Sequence, residues 1–206
     1  MDQATAPTPD QSSQPIQPPA TPAKRSKAII VVPIVVIAVL AAAVLGLWLY
    51  NQTTLQGPLS KVLNSDSRNK NVTAGAHFDG WIHTDTVVFD LSDVSGQSSA
   101  MDIFRVFLQF AQSQKDRHYD KVILAAYGEK KFTIPGDYFH ELGAEYGSQN
   151  PMYTIRTFPH HVTDMNGIQP FPEYSGGALG VLNKEMEEFN DMNKQWYQND
   201  YIAKHR

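Results

Sequence analysis

Ala28 to Tyr50 is a run of 23 residues without one charged side chain, and no other feature restricts the chain as much. A helix of that length is roughly 34 Å long and crosses a hydrocarbon core with modest tilt. Pro33 lies near its first turns, where a missing N–H costs least. Trp48 and Tyr50 close the run as interfacial aromatics do. The rival reading is a cleaved signal peptide. Ala41-x-Ala43 offers a cleavage pattern, but Val44-Leu45-Gly46-Leu47-Trp48-Leu49 carries the apolar run past it, beyond the length of an h-region. The expectation is an uncleaved, single-pass anchor over residues 28–50.

Charge sets the expected orientation. Lys24, Arg25 and Lys27 abut the anchor on its N-terminal side, whereas Lys61 alone lies within about 15 residues of the other end. Residues 1–27 are therefore expected in the cytoplasm and 51–206 outside it, periplasmic in a bacterium. Those first 27 residues carry six prolines, four glutamines and no aromatic ring. They cannot bury enough apolar surface to offset their ordering entropy, so a disordered tail with polyproline II character is expected. Along the anchor, Ala38, Ala42 and Gly46 recur every four residues. Small residues in that register let two membrane helices approach closely, which makes a homodimer through this stripe a candidate interaction.

The part beyond the anchor has 14 basic and 19 acidic residues, a net of −5, without charge blocks. Nucleic acid would call for a basic face, so it is excluded as a partner. The chain has no cysteine, which removes disulfides, thiol catalysis and thiolate metal sites. Residues 51–72 are mostly polar, with one short helical signal at Pro58-Leu59-Ser60-Lys61-Val62-Leu63, and read as a stalk, leaving 73–206 as the globular domain.

Within that domain the pattern is strand, buried helix, strand. Val87-Val88-Phe89-Asp90-Leu91 is a short apolar run suited to a buried strand, and Ser92 to Gly96 breaks it. Ser98 or Ser99 can cap the next helix, with Asp102 three residues after Ser99 in a capping-box arrangement. That helix shows only a narrow polar stripe of Asp102, Arg105, Gln109 and Gln112, so it must be largely buried. Val122 to Tyr127 reads as a central strand parallel to the first. Gly128-Glu129 then turns into an antiparallel edge strand at Lys131 to Ile134, and a further strand is expected near Gly80 to His83.

The second half reads as helical. Asp137 caps a helix to Tyr146 that Gly147 ends, and Asn150-Pro151 starts another to Thr157. A long final helix carries the stripe Leu179, Leu182, Met186, Phe189 and Trp196. Its acids Glu185, Glu187, Glu188 and Asp191 suit the positive end of the helix. The fold class is α+β: a small mixed β-sheet with a βαβ unit and packed helices, on a single N-terminal transmembrane helix.

Chemistry is expected in the loop Asp90–Ser99 after the first strand of the βαβ unit. Ligands of open α/β sheets lie outside the carboxyl ends of the strands. There Asp90, Ser92 and Asp93 are candidate oxygen ligands for a hard cation such as Mg²⁺. Val87-Val88-Phe89-Asp90-Leu91-Ser92, the amphipathic helix, and Tyr119-Asp120-Lys121-Val122-Ile123-Leu124 together resemble the opening of a von Willebrand factor A domain. That resemblance implies an Asp-x-Ser-x-Ser loop binding Mg²⁺, with Asp90 and Ser92 as ligands. Val94 stands where the second serine of the motif belongs, and Ser95 comes one residue later.

Other signatures are incomplete. His140-Glu141 lacks the second histidine of a helical zinc pair, no Gly-x-Ser-x-Gly occurs, and Gly176-Gly177-Ala178-Leu179-Gly180 lacks the Lys-[Ser/Thr] of a phosphate loop. The sequence thus points to a non-enzymatic, membrane-anchored interaction or scaffold domain without a cofactor, facing an envelope protein partner or a second copy. The alternative is a small-ligand or Mg-dependent binding or enzyme domain using the Asp90–Ser99 loop.

Overall fold

The computed structural model describes residues 28–80, 84–94, 96–173 and 178–206. The strand expected near Gly80 to His83 falls largely outside them, as do the side chain of Leu179 and residue Ser95. The chain divides into two units, residues 1–42 and 43–206.

The first unit holds most of α1 (Ala28–Asn51), a helix apolar on all sides and long enough to cross a membrane. Ile34, Ile37, Val39 and Leu40 are each about 60% exposed, and none of the described residues covers them. Such a helix is what a membrane anchor or a signal sequence requires.

The second unit is built on a five-stranded mixed sheet whose spatial order follows the chain: β1 (Val72–Phe78), β2 (Thr86–Val94), β3 (Lys121–Ala126), β4 (Glu129–Pro135) and β5 (Thr163–Asp164). The β2–β3 pair is parallel, and α3 (Ala100–Ser113) joins its strands, so the expected βαβ unit is present. The pairs β1–β2, β3–β4 and β4–β5 are antiparallel. The β3–β4 hairpin turns on Tyr127 and Gly128, both at positive φ, the geometry that matches the sheet's twist. β4 is not the edge strand expected, because the two residues of β5 pair along its outer side.

Alternation along the strands separates two faces. Val87, Phe89 and Leu91 of β2 and Val122, Leu124 and Ala126 of β3 point into the main core. Val88, Ile123 and Ala125 form a small separate cluster on the other side. The main core is aromatic: Phe89, Phe104, Phe107, Phe110, Phe139, Phe158, Phe189 and Trp196 are all nearly or fully buried. Phe107 touches five of those rings, mostly edge-on, the arrangement aromatic pairs prefer.

α3 begins as its sequence dictates. The Ser99 hydroxyl accepts from the Asp102 N–H, and the Asp102 carboxylate accepts from the Ser99 N–H. α4 (Gly136–Glu145) packs on α3, with Pro135 rather than Asp137 at its cap. α5 (Pro151–Thr157) starts on the Asn150 side chain, which accepts from the Met152 N–H. α6 (Ala178–Asn193) and α7 (Asn199–Lys204) are joined by a π-helical turn, Lys194–Gln198. Within that turn the Trp196 indole N–H donates to the Ala125 carbonyl at 3.0 Å, pinning the last helices to the central strand. The bond falls where the β3–β4 register shifts, between Leu124 and Ala125.

Two expectations are corrected. Residues 51–72, read as a stalk, are part of the domain: a π-helical turn, Gln52–Gln56, leads into α2 (Gly57–Ser65), and Leu55 and Leu59 are fully buried. Polar composition hid this, because a helix needs only one apolar stripe to join a core. Glu185 and Glu188 of α6 do not serve the helix end. They are about 7% and 6% exposed and pair with Arg156 of α5 and with His160 in the 3-10 turn that follows it.

Candidate functional site

A groove of about 450 Å³ opens where α3, α4 and α5 meet. Beside it, α4 approaches α3 closely. A Cβ at Gly143 would stand 2.7 Å from the Ala111 carbonyl carbon, so only glycine permits this crossing. The chain then leaves α4 through Gly147, whose φ of +88° is a left-handed conformation suited to a helix end. The N–H groups of Ser148 and Gln149 both donate to the Glu145 carbonyl, and α5 departs from Asn150. The splayed end of the α4–α5 corner leaves the groove open.

Phe104, Leu108, Leu142 and Ile155 floor the groove, and Met101 and Met152 form exposed lips. Methionine at a groove mouth is adaptable, because its unbranched thioether chain repacks at little cost. At one end stands Arg105. Its guanidinium donates to Asp102 Oδ1 at 2.9 Å, to the Arg68 carbonyl at 3.0 Å and to Asn69 Oδ1 at 3.3 Å. Asn69, buried, donates in turn to Gln109 and to the Val62 carbonyl. Asp66 takes a forked pair from Arg68, which holds its carboxyl well below the usual carboxylate range. Asp102 is lowered as well, first by the Ser99 hydroxyl. Each cation of this rim is therefore paired, and the groove offers apolar area with a fixed polar end.

The residues singled out in the sequence lie elsewhere. Asp90, Ser92 and Asp93 are not in a loop. They lie within β2, which runs to Val94 because β1 pairs with it that far, Val72 opposite Val94. The Asp90 carboxylate accepts the Gly128 N–H at 3.2 Å, thereby holding the β3–β4 turn, and Asp93 Oδ1 accepts the Val94 N–H. Among the described residues no group of three His, Asp or Glu is placed to hold a metal ion. Ala38, Ala42 and Gly46 lie on one exposed side of α1, and a Cβ at Gly46 would meet nothing within 4 Å.

Sequence reasoning missed the groove, the pairs at Glu185 and Glu188, and β1. A signal for the second was present: Glu185, Phe189, Met192 and Trp196 are spaced by four, three and four, so Glu185 falls on the buried stripe itself. No protein-family model, curated protein or solved structure matches the chain.

Proposed function

We propose that the chain is a single-pass membrane protein anchored by residues 28–50, with residues 1–27 in the cytoplasm and 51–206 outside it. In a bacterium the outer domain is periplasmic. It serves as a non-enzymatic interaction module, receiving apolar side chains of an envelope protein in the α3–α4–α5 groove. The observation that carries this reading is the pair formed by an apolar helix exposed on every side and a folded domain that incorporates that helix's last turn. The basic cluster Lys24, Arg25 and Lys27 supports the orientation. The open stripe of Ala38, Ala42 and Gly46 supports a second copy as a further partner within the membrane.

The test uses the full chain in its native membrane. A photocrosslinking residue replaces Met152 at the groove lip or, as control, Lys194 on the final helices. Met152 should give one discrete protein adduct that Lys194 does not, and Leu108→Arg in the groove floor should abolish it. Adducts indifferent to Leu108→Arg, or none from Met152, defeat the groove as the contact surface. Extraction of the chain from membranes by alkaline carbonate defeats the anchor.

A further inference from the structure

β1 is an edge strand, paired on one side by β2 alone. An edge presents a row of unpaired backbone groups that invites strand addition. Here two of its outward amides are already engaged. The Phe78 N–H donates to Asn51 Oδ1 at 3.0 Å, and the Ala76 N–H donates to Gln56 Oε1 at 2.8 Å. Tyr50 stacks on the Phe78 ring at 5.5 Å between centroids.

Asn51 and Gln56 are five residues apart. At α-helical pitch they would point about 140° away from each other. The π-helical turn between them, closed by i→i+5 bonds, brings them back toward one face. The two side-chain amides thereby reach alternate amides of the strand, those of Phe78 and Ala76.

The turn is built by its own sequence. The Thr54 carbonyl would accept from residue 58 in an α-helix, but residue 58 is Pro58 and has no N–H. That carbonyl instead accepts from Gln114 Nε2 at 3.1 Å, and Gln114 Oε1 accepts from the Tyr119 hydroxyl at 2.7 Å. The Gly57 N–H closes on the Gln52 carbonyl, and a Cβ at Gly57 would lie 2.8 Å from that oxygen. Pro58, Gly57 and a buried glutamine thus each serve a single irregular turn.

From this we infer that residues 51–58 are a rigid joint. They make the last turn of the helix, through Tyr50 and Asn51, and the edge of the sheet one body, with no flexible linker between them. The joint also closes the β1 edge to strand addition. Its physiological meaning rests on the anchor reading, and the test separates the two.

The absence of cysteine allows two unique spin labels in the full chain, at Leu45→Cys and Lys121→Cys, both exposed positions. In lipid nanodiscs the pair should give one narrow distance distribution. Asn51→Leu with Gln56→Leu should broaden it at least twofold and speed amide exchange at Ala76 and Phe78 about tenfold. Gln56→Glu, whose carboxylate still accepts the Ala76 N–H, should keep the width and the Ala76 protection. If the double variant loses protection at the central-strand amide of Ile123, Asn51→Leu alone makes the same comparison. A broad native distribution, or a width that ignores the leucine variants, overturns the joint. A chain that fails to enter the disc defeats the anchor instead.

Discussion

Gly143→Ala tests whether the α3–α4 crossing is held by backbone contact. The new Cβ would lie 2.7 Å from the Ala111 carbonyl carbon and 3.2 Å from the Gln112 nitrogen, where comfortable separations are about 3.5 Å or more. Both obstacles are backbone, so neither can swing away as a side-chain tip would. The helices must part by roughly 1 Å, which forfeits a quarter to a half of the attraction of each affected pair. Those pairs include Phe107–Phe139 and Phe110–Phe139, with ring centroids 5.6 and 5.8 Å apart. Overpacking of this kind costs about 3 kcal/mol at the upper end, and the helix propensity of alanine returns about 1. The net loss of about 2 kcal/mol corresponds to a melting point lower by about 4–8 °C. Gly180→Ala is the control, because nothing lies within 4 Å of a Cβ there and the residue is helical. It should gain up to about 1 kcal/mol. Thermal unfolding of the full chain in detergent micelles, followed by near-ultraviolet circular dichroism, reads both. A Gly143→Ala protein that melts at or above the native temperature, or the same sign of shift for both variants, refutes the reasoning.

Three further outcomes follow from named contacts. Trp196→Phe removes the donor to the Ala125 carbonyl and shrinks a fully buried ring, so the urea midpoint should fall by the equivalent of about 2–3 kcal/mol. The Ser99 hydroxyl, the Ser99 N–H and Arg105 hold Asp102 below its ordinary value of 3.8. Its contribution is therefore present above the unfolded value and lost as pH falls through the lower folded one, so Asp102→Asn should flatten the acid limb of stability measured from pH 5 to pH 2. Asn71-Val-Thr73 and Asn51-Gln-Thr53 both match the glycosylation acceptor pattern, but Asn51 is bonded to the Phe78 N–H in the joint. Translation into microsomes should modify Asn71 and spare Asn51 if residues 51–206 cross the membrane. An unmodified Asn71 reverses the proposed orientation.

The βαβ unit was legible because its signals are local: an apolar run, a capping box four residues long, a second apolar run. α5 was legible for the same reason, from Asn150 and Pro151. β1 was hidden, since Val72-Thr-Ala-Gly-Ala-His-Phe78 alternates small residues that carry little apolar weight, yet Ala74 and Ala76 are buried beneath the helices. Missing β1 also misplaced Asp90, Ser92 and Asp93, because a strand's length depends on its partner. The groove was illegible for a further reason: its lining draws on α3, α4 and α5, which no local pattern relates to one another.

Gly57-Pro58 shows where local chemistry decides a long-range arrangement. Read alone, the pair is a helix breaker inside a polar segment, and a stalk is the natural inference. Proline removes one N–H and so frees one carbonyl four residues earlier, and a freed carbonyl in a buried place needs a donor. Gln114, 60 residues on, supplies it. Once that bond is made, the turn keeps its extra residue, Asn51 and Gln56 share a face, and the strand edge of β1 is covered. Tyr50, Asn51 and Gln56 are thus tied to the sheet edge by the very residues that interrupt the helix. A flexible tether would have needed none of them: no glycine where a Cβ would strike the Gln52 carbonyl, no buried glutamine, and no pair of amides spaced to match alternate residues of a strand.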